Sequence, residues 1–262
     1  PLSCENNFYS MPGLLYTSDG TDYTELVRQE LGLPELNGEK MVRLDADKAA
    51  QYKQQAIEEL SAIGVTFPIS VDYYISASNQ TALDSANVLK QVFSDSFGDD
   101  FIQLNIKTFI KSLRQEVVQA HLQSFVNNGW GADYNDPKNY LAQTMLGNEN
   151  AMYAESYSNI NKLEENETNK ELLEQLRTYT EMVEKADAIT KDMDARYEAF
   201  ADAEAYTIEK VHMLPCNYNV GWCLTRYNVH AEFSGSRMKN WETKADGYTV
   251  DEVKAILAAQ GK

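Results

Sequence analysis

Between Asp45 and Trp130 the apolar residues switch period repeatedly, and this switching confines the chain to a small set of folds. Ala49, Tyr52, Ala56, Leu60 and Ile63 recur at the spacing of one helix face, and Gly64 stands where a helix commonly ends on a left-handed residue. From Val65 the period falls to two. Val65, Phe67, Ile69, Val71, Tyr73 and Ile75 alternate with Thr66, Ser70 and Asp72, as in a strand with one buried face. Pro68 has no N–H for a ladder and favours an edge or a strand start. Leu83, Ala86, Leu89, Phe93 and Phe97 return to helical spacing, with Thr81 and Asp84 placed like a capping box and Gly98 at the end. Ile102, Leu104 and Ile106 alternate again, Ile110, Leu113, Val117 and Ala120 predict a further helix, and Phe125 to Trp130 a third strand. Helical crossovers of this length join parallel strands, so the centre reads as β-α-β-α-β with right-handed crossovers, an α/β layer of helices on a sheet.

The flanks are less regular. Residues 1–44 carry the turn signals Met11-Pro12-Gly13, Ser18-Asp19-Gly20, Leu33-Pro34 and Asn37-Gly38, with one short helix predicted from Tyr23 to Leu31 and ended by Gly32. Residues 147–170, rich in Asn, Glu and Ser, read as exposed loop. Leu172, Leu176, Tyr179 and Val183 predict one helix, and Met193, Tyr197, Phe200 and Ile208 another, both with acidic outer faces. Residues 211–226 read as a β-hairpin or two short strands, and a last helix is predicted from Val250 to Ala259.

Charge and motif content exclude several functions. The 40 Asp and Glu residues outnumber 23 Lys and Arg, a net charge of −17. Nucleic-acid binding through phosphates and polybasic membrane adhesion both need a clustered positive face, so neither is expected. No run reaches the ~18–20 apolar residues of a membrane span. The opening Pro1, without initiator Met or signal peptide, reads as the edge of a piece of something longer. Cys4, Cys216 and Cys223 are too few for a disulfide framework, and the last two could pair only across a folded-back segment. His121, His212 and His230 are scattered without metal-ligand spacing, and no nucleophile elbow or phosphate-binding loop is present. Gly129-Trp130-Gly131 opens like a dinucleotide fingerprint, but Tyr134 stands where the third glycine belongs. No catalytic residue, metal site or cofactor is expected.

The run from Gly129 to Pro137, Gly-Trp-Gly-Ala-Asp-Tyr-Asn-Asp-Pro, follows the third predicted strand, where open α/β sheets bind ligands. Two glycines admit another backbone, Trp130 offers a large apolar face with one donor, and Asp133 can accept an ammonium group. Asn135-Asp136-Pro137 reads as a turn, and turn chemistry with Trp130 in the core accounts for the same residues without any ligand. Asp133 with Asp136 could also form an acid–base pair, but no His or third carboxylate lies close in sequence. Tyr218, Trp222 and Trp241 could face a ligand, although core packing suits aromatics as well.

This run resembles the W-x-A-D-Y-x-D/E-P signature of the oligopeptide-binding (dipeptide/oligopeptide, family 5) solute-binding proteins of bacterial ABC importers. Tyr157-Ser158-Asn159 looks like the family's Y-S-N loop, Arg196, Phe200, Ala203 and Glu204 fit the helix before its last strands, and Leu214-Pro215 opens a strand as its closing hairpin does. The resemblance spans about Asp45 to Trp241. It implies the second lobe of a two-lobed, type II periplasmic-binding-protein-like fold, a mixed sheet with flanking helices, whose lobes close on an extended peptide. Residues 1–44 would be the irregular opening segment of the lobe, 45–230 the α/β ligand-binding lobe, and 231–262 a returning C-terminal segment with a terminal helix.

By the same resemblance, Asp133 binds the peptide α-amino group, and the backbone of Gly129, Trp130 and Gly131 pairs with the peptide main chain. The implied partners are a peptide ligand, the missing first lobe and ABC permease subunits. The implied location is extracytoplasmic, with a lipoprotein anchor outside this chain. A non-peptide solute such as a metal chelate, glycan or opine, and a peptide-signal sensor, are the alternatives on the same fold.

Overall fold

The computed structural model describes residues 2–33, 45–127, 129–220 and 249–260, with only the backbone described for residues 2–5 and 220. Its centre is a parallel strand pair. β2 (Ile69–Ser76) and β3 (Ile102–Phe109) run in register from Ile69 opposite Ile102 to Ser76 opposite Phe109. β2 begins only after Pro68, so the alternation from Val65 overstates the strand at its start. The helices before and after β2 are α2 (Ala46–Ala62) and α3 (Gln80–Phe97). Asp45 caps α2 by accepting from the Lys48 N–H at 2.9 Å. α3 is capped by Asn79, which accepts from the Ala82 N–H at 3.0 Å. Thr81 and Asp84 therefore form no capping box, and Asp84 instead accepts from the Gln80 side chain. Gly98 ends α3 at φ +80°, a backbone region costly for other residues.

Among the described residues the third predicted strand forms no ladder. The residue before it lies beside β2: the Ser124 N–H donates to the Asp72 carbonyl at 3.0 Å, and the Asp72 N–H donates to Ser124 Oγ at 2.9 Å. The Phe125 ring stacks on Tyr73 at 5.0 Å and on Phe93 at 5.9 Å, which fastens this segment to sheet and helix together. Beyond Phe125 come Asn127, Asn128, Gly129 and Gly131, residue types depleted in strands, and no ladder follows among the described residues. The helix predicted over Ile110 to Ala120 shrinks to a π-helical turn, Arg114–Val118. The Glu116 carboxylate accepts the N–H groups of Ile110, Lys111 and Ser112 at 3.0, 2.6 and 2.9 Å, and these bonds hold its carboxyl below the ordinary value.

A second packing centre joins the first thirty residues to residues 170–220. β1 (Leu2–Glu5) pairs antiparallel with β4 (Asn217–Val220). The 211–226 region thus supplies one strand to a distant partner, and residues 221–226 lie outside the described residues. β1 has no counterpart in the expected loop reading of residues 1–44. α1 (Tyr23–Glu30), capped by Asp22, packs against α6 (Met193–Glu209), and α6 packs against α5 (Lys170–Asp187). Between them lies a core of Phe8, Tyr23, Val27, Leu141, Tyr179, Val183 and Phe200. The buried stripe of α5 runs through Leu173 rather than the exposed Leu172. α6 buries Arg196, Phe200, Ala201, Ala203, Glu204, Ala205 and Thr207, while Met193 is exposed, so its inner face is turned from the predicted one toward alanines and two charged residues. Residues 147–170 contain a π-helical turn, Met152–Tyr157, and a 3-10 turn, Ile160–Lys162, and α7 (Val250–Ala259) carries a full capping box between Thr249 and Glu252. No helix among the described residues is long and apolar enough to cross a membrane.

Glu204 is fully buried. Its carboxylate accepts from the N–H of Tyr9 at 2.7 Å, the N–H of Ser10 at 3.0 Å, Ser10 Oγ at 2.8 Å and Tyr23 Oη at 3.0 Å. Burial pushes its carboxyl up and these four donors pull it back, leaving a net rise. Glu204→Gln keeps one acceptor oxygen for the Tyr9 and Ser10 N–H groups and puts an amide donor against the Ser10 and Tyr23 hydroxyls, which lose their charged acceptor and must turn. It should lower the unfolding free energy by about 1–3 kcal/mol. Asp202→Asn, on the exposed face of α6, should change it by less than about 0.5 kcal/mol. Urea unfolding of the two variants checks both.

Candidate functional site

The Gly129 to Pro137 run is built on a short, firmly seated helix. α4 (Pro137–Leu141) has Asp136 as its N-cap, whose Oδ1 accepts the Lys138 N–H at 2.9 Å, and Pro137 is buried at its first turn. Proline suits that place because its missing N–H would find no partner inside the helix. Arg196 of α6 then locks the cap. Its Nη2 donates to both Asp136 oxygens at 3.1 and 3.2 Å and to Asp187 Oδ1 at 2.9 Å. Its Nη1 donates to the carbonyls of Ala186, Asp187 and Ile189 at 3.2, 2.8 and 3.1 Å, at the C-terminal end of α5 where the helix dipole favours a cation. The guanidinium also lies over the Phe200 ring at 4.7 Å. Lys138 pairs with the other oxygen of Asp187. Burial acts to raise the Asp187 carboxyl, and its bonds to Lys138 and Arg196 outweigh this and leave it lowered.

Asp136 is therefore committed to the scaffold, which removes the acid–base pairing with Asp133. Asp133 itself is exposed. Its N–H donates to Asn139 Oδ1 at 3.2 Å, and its carboxylate has no hydrogen bond or ion pair among the described residues. Asn135 ties the loop on the other side, donating from Nδ2 to the Leu14 carbonyl at 2.8 Å. Trp130 is half-buried and meets the Tyr140 ring edge-to-face at 5.9 Å, so it lies at the margin of the core. Gly129 and Gly131 are exposed, neither has a left-handed φ, and a Cβ on either would meet nothing within 4 Å. The N–H and C=O groups of Gly129, Trp130 and Gly131 make no hydrogen bond among the described residues. The site thus combines an open edge of main-chain donors and acceptors with an uncompensated carboxylate a few residues along.

The four residues singled out in the sequence are together on this one loop. The Tyr157-Ser158-Asn159 triplet stands apart: Asn159 has φ +58°, and Tyr157 and Asn159 line a concavity of about 190 Å³ with Arg114, His121, Glu155 and Lys162, which includes neither Asp133 nor Trp130. Tyr218 is half-buried in β4; Trp222, Cys223, His230 and Trp241 lie outside the described residues. His212 holds Thr207 Oγ1 through Nδ1 at 3.0 Å, and burial lowers its pKa. Among the described residues no group of three His, Cys, Asp or Glu side chains converges as a metal site would require. Asn139 had no signal in the sequence beyond lying close to the motif, and Asn135 was legible only as a turn residue.

No family model matches the chain. Among curated proteins it is similar to the oligopeptide-binding protein AliB of Streptococcus pneumoniae, 28% identical over 177 residues that cover 64% of this chain and 26% of AliB. It is also similar to the oligopeptide-binding protein SarA of Streptococcus gordonii, 24% identical over 270 residues covering 97% of this chain and 40% of SarA. The chain therefore spans between 26% and 40% of the length of these relatives. Among solved structures, the substrate-binding domain of an oligopeptide ABC transporter from Bacillus anthracis str. Ames matches with a TM-score of 0.56 at 18% identity, over 79% of this chain and 33% of that one. A peptide ABC transporter's peptide-binding protein matches with 0.57 at 18% identity, over 82% of this chain and 80% of that one. The pheromone receptor PrgZ matches with 0.55 at 18% identity, over 82% and 34%. The curated homologues are oligopeptide-binding proteins, and the fold is a partial domain of the type II periplasmic binding arrangement.

The clamp behind the loop has a measurable pH signature. Arg196→Met leaves two carboxylates facing each other at the α4 cap and should cost about 3–5 kcal/mol of stability. Asp187 is lowered in the folded state, so between that value and 3.8 the unfolded chain binds more protons and stability rises with pH. Asp187→Asn should accordingly cost about 1 kcal/mol near neutrality, discounted for partial exposure. Its gap from the parent should close as the pH falls through that window, which thermal melts across a pH series would record.

Proposed function

We propose that this chain is the second lobe of an extracytoplasmic solute-binding protein that captures oligopeptides for an ABC importer and carries out no catalysis. The observation that carries this reading is the open main-chain edge at Gly129, Trp130 and Gly131 beside the unpaired carboxylate of Asp133. A receptor for peptides of varied sequence can rely only on what all peptides share, the main-chain N–H and C=O groups and one terminal ammonium. Strand-like pairing along the glycines supplies affinity without selecting side chains. A carboxylate at one end fixes the register by taking the α-amino group. The glycines support the same reading, since among the described residues neither has a left-handed φ and a Cβ on either would meet nothing within 4 Å, which leaves room for a second chain laid against that edge.

The fold resemblance and the oligopeptide-binding names of AliB and SarA agree with this role. The remaining length of such a protein would supply the first lobe, a lipid anchor would hold it outside the membrane, and permease subunits would receive the loaded protein. A second reading is a peptide-signal sensor of the same architecture, favoured by the similarity to the pheromone receptor PrgZ. Mass spectrometry of ligands that copurify with the full-length protein separates the classes: peptides of mixed sequence support import, one defined peptide supports sensing, and a metal chelate or glycan overturns both.

Two substitutions in the full-length protein test the site. Asp133→Asn should weaken free-amine peptides by roughly 100-fold, because lobe closure desolvates the ion pair, and leave N-acetylated peptides unchanged. Equal calorimetric affinities for parent and variant would refute the amine contact. Gly131→Val should leave the melting temperature unchanged, since a Cβ there meets nothing within 4 Å among the described residues, yet weaken every peptide by crowding the proposed main-chain contact. Unaltered peptide affinity would sink the main-chain contact.

A further inference from the structure

Resting on the reading of Asp133 as the amine contact, we propose that Asn139 is the positioning residue that aims the Asp133 carboxylate at its ligand. Asp133 is exposed on a loop, where a free side chain would sample many directions and lose much of its binding energy to ordering. Its main-chain N–H is nevertheless fixed, donating to Asn139 Oδ1 at 3.2 Å. Asn139 is itself 6% exposed and sits in α4, so its side chain is held by packing. Its N–H donates to the Asp136 carbonyl at 3.0 Å, and its carbonyl accepts from Gln143 Nε2 at 3.4 Å. Asp136 is in turn gripped by Arg196. A continuous chain of bonds thus runs from the core through the Arg196 guanidinium and the α4 cap to the main-chain N–H of Asp133, and so restrains the backbone from which its side chain departs. Asn139 meets Asp133 through the main chain alone among the described residues, which leaves both carboxylate oxygens for the ligand.

A buried asparagine supplies a neutral acceptor here. An aspartate in its place would keep the acceptor and a leucine would keep the volume without it. The test uses the full-length protein and one peptide in two forms, with a free α-amine and N-acetylated, measured by calorimetry alongside Asp133→Asn. The readout is the ratio of the two affinities, which general loosening of the lobe does not change because it weakens both forms alike. Asn139→Leu should reduce the amine preference at least tenfold while N-acetylated peptide binds within twofold of the parent. Asn139→Asp should restore the preference. Asn139→Ala serves if the leucine variant does not fold. A preference unchanged in Asn139→Leu and Asn139→Ala, or an equal loss for both peptide forms, would overturn the positioning role while leaving Asp133 intact. A parent protein without any amine preference overturns the Asp133 reading first, and this inference with it.

Discussion

The Arg196 guanidinium is the constraint on which the rest of the lobe depends. One planar group reaches the C-terminal carbonyls of α5, the carboxylate of Asp187 and the cap of α4, and lies against Phe200 from its own helix. Only an arginine has donors enough, in a rigid fork, to serve three chain segments at once. Burying a cation is costly, and the cost is offset here because every direction it faces offers an acceptor. The outcome is geometric. Helix α4 has only five residues, too few to hold its place by itself, and the clamp fixes it to the core.

Glu204 has the matching role further along α6. It brings the Tyr9–Ser10 turn and the Tyr23 hydroxyl of α1 against the helix, and so joins the start of the chain to a helix near its end. α6 therefore carries two buried charges of opposite sign on an inner face otherwise made of alanines, Phe200 and Thr207. The alanines let α1 and α5 approach closely, and the two charges say which segments do so. Apolar packing alone is non-directional and could be satisfied by several arrangements of these helices. A carboxylate that accepts from four donors and a guanidinium whose two Nη groups reach six acceptor oxygens cannot be.

This division explains what was legible in the sequence. The parallel pair β2–β3 and the helices α2, α3, α5 and α6 were visible because burial follows a period that survives in a list of residues. The third strand was not, because Phe125 is held by two aromatic faces rather than by a ladder, and periodicity cannot distinguish the two. The inner face of α6 was misplaced for a related reason. A hydrophobic pattern counts Arg196 and Glu204 as surface, whereas their partners, far away in sequence, make them the most constrained residues of the helix. β1 was hidden because four residues paired with a strand more than two hundred positions away leave no local signal. For the site, the motif run Gly129 to Pro137 stood out at once, whereas the bonds that tie it, from the Asp133 N–H to Asn139 and from Asn135 to the Leu14 carbonyl, did not.

The failed strand and the candidate site are one fact seen twice. Had Phe125 to Trp130 completed a third strand beside β2, its backbone groups would be consumed in the ladder. Instead Ser124 makes two bonds to Asp72, Phe125 anchors the segment, and the main-chain groups of Gly129, Trp130 and Gly131 enter no ladder among the described residues. The clamp of Arg196 on α4 then catches the chain again at Asp136. Between these two points the main-chain groups of Gly129, Trp130 and Gly131 make no hydrogen bond among the described residues, so they form a short open edge of the kind that templates pairing with another chain. The half-buried Trp130 ring meets Tyr140 beside that edge, and Asp133 puts a negative charge a few residues along. On the proposed reading, an extended chain with a positive terminus would meet both features together, and a solute without main-chain groups only the second.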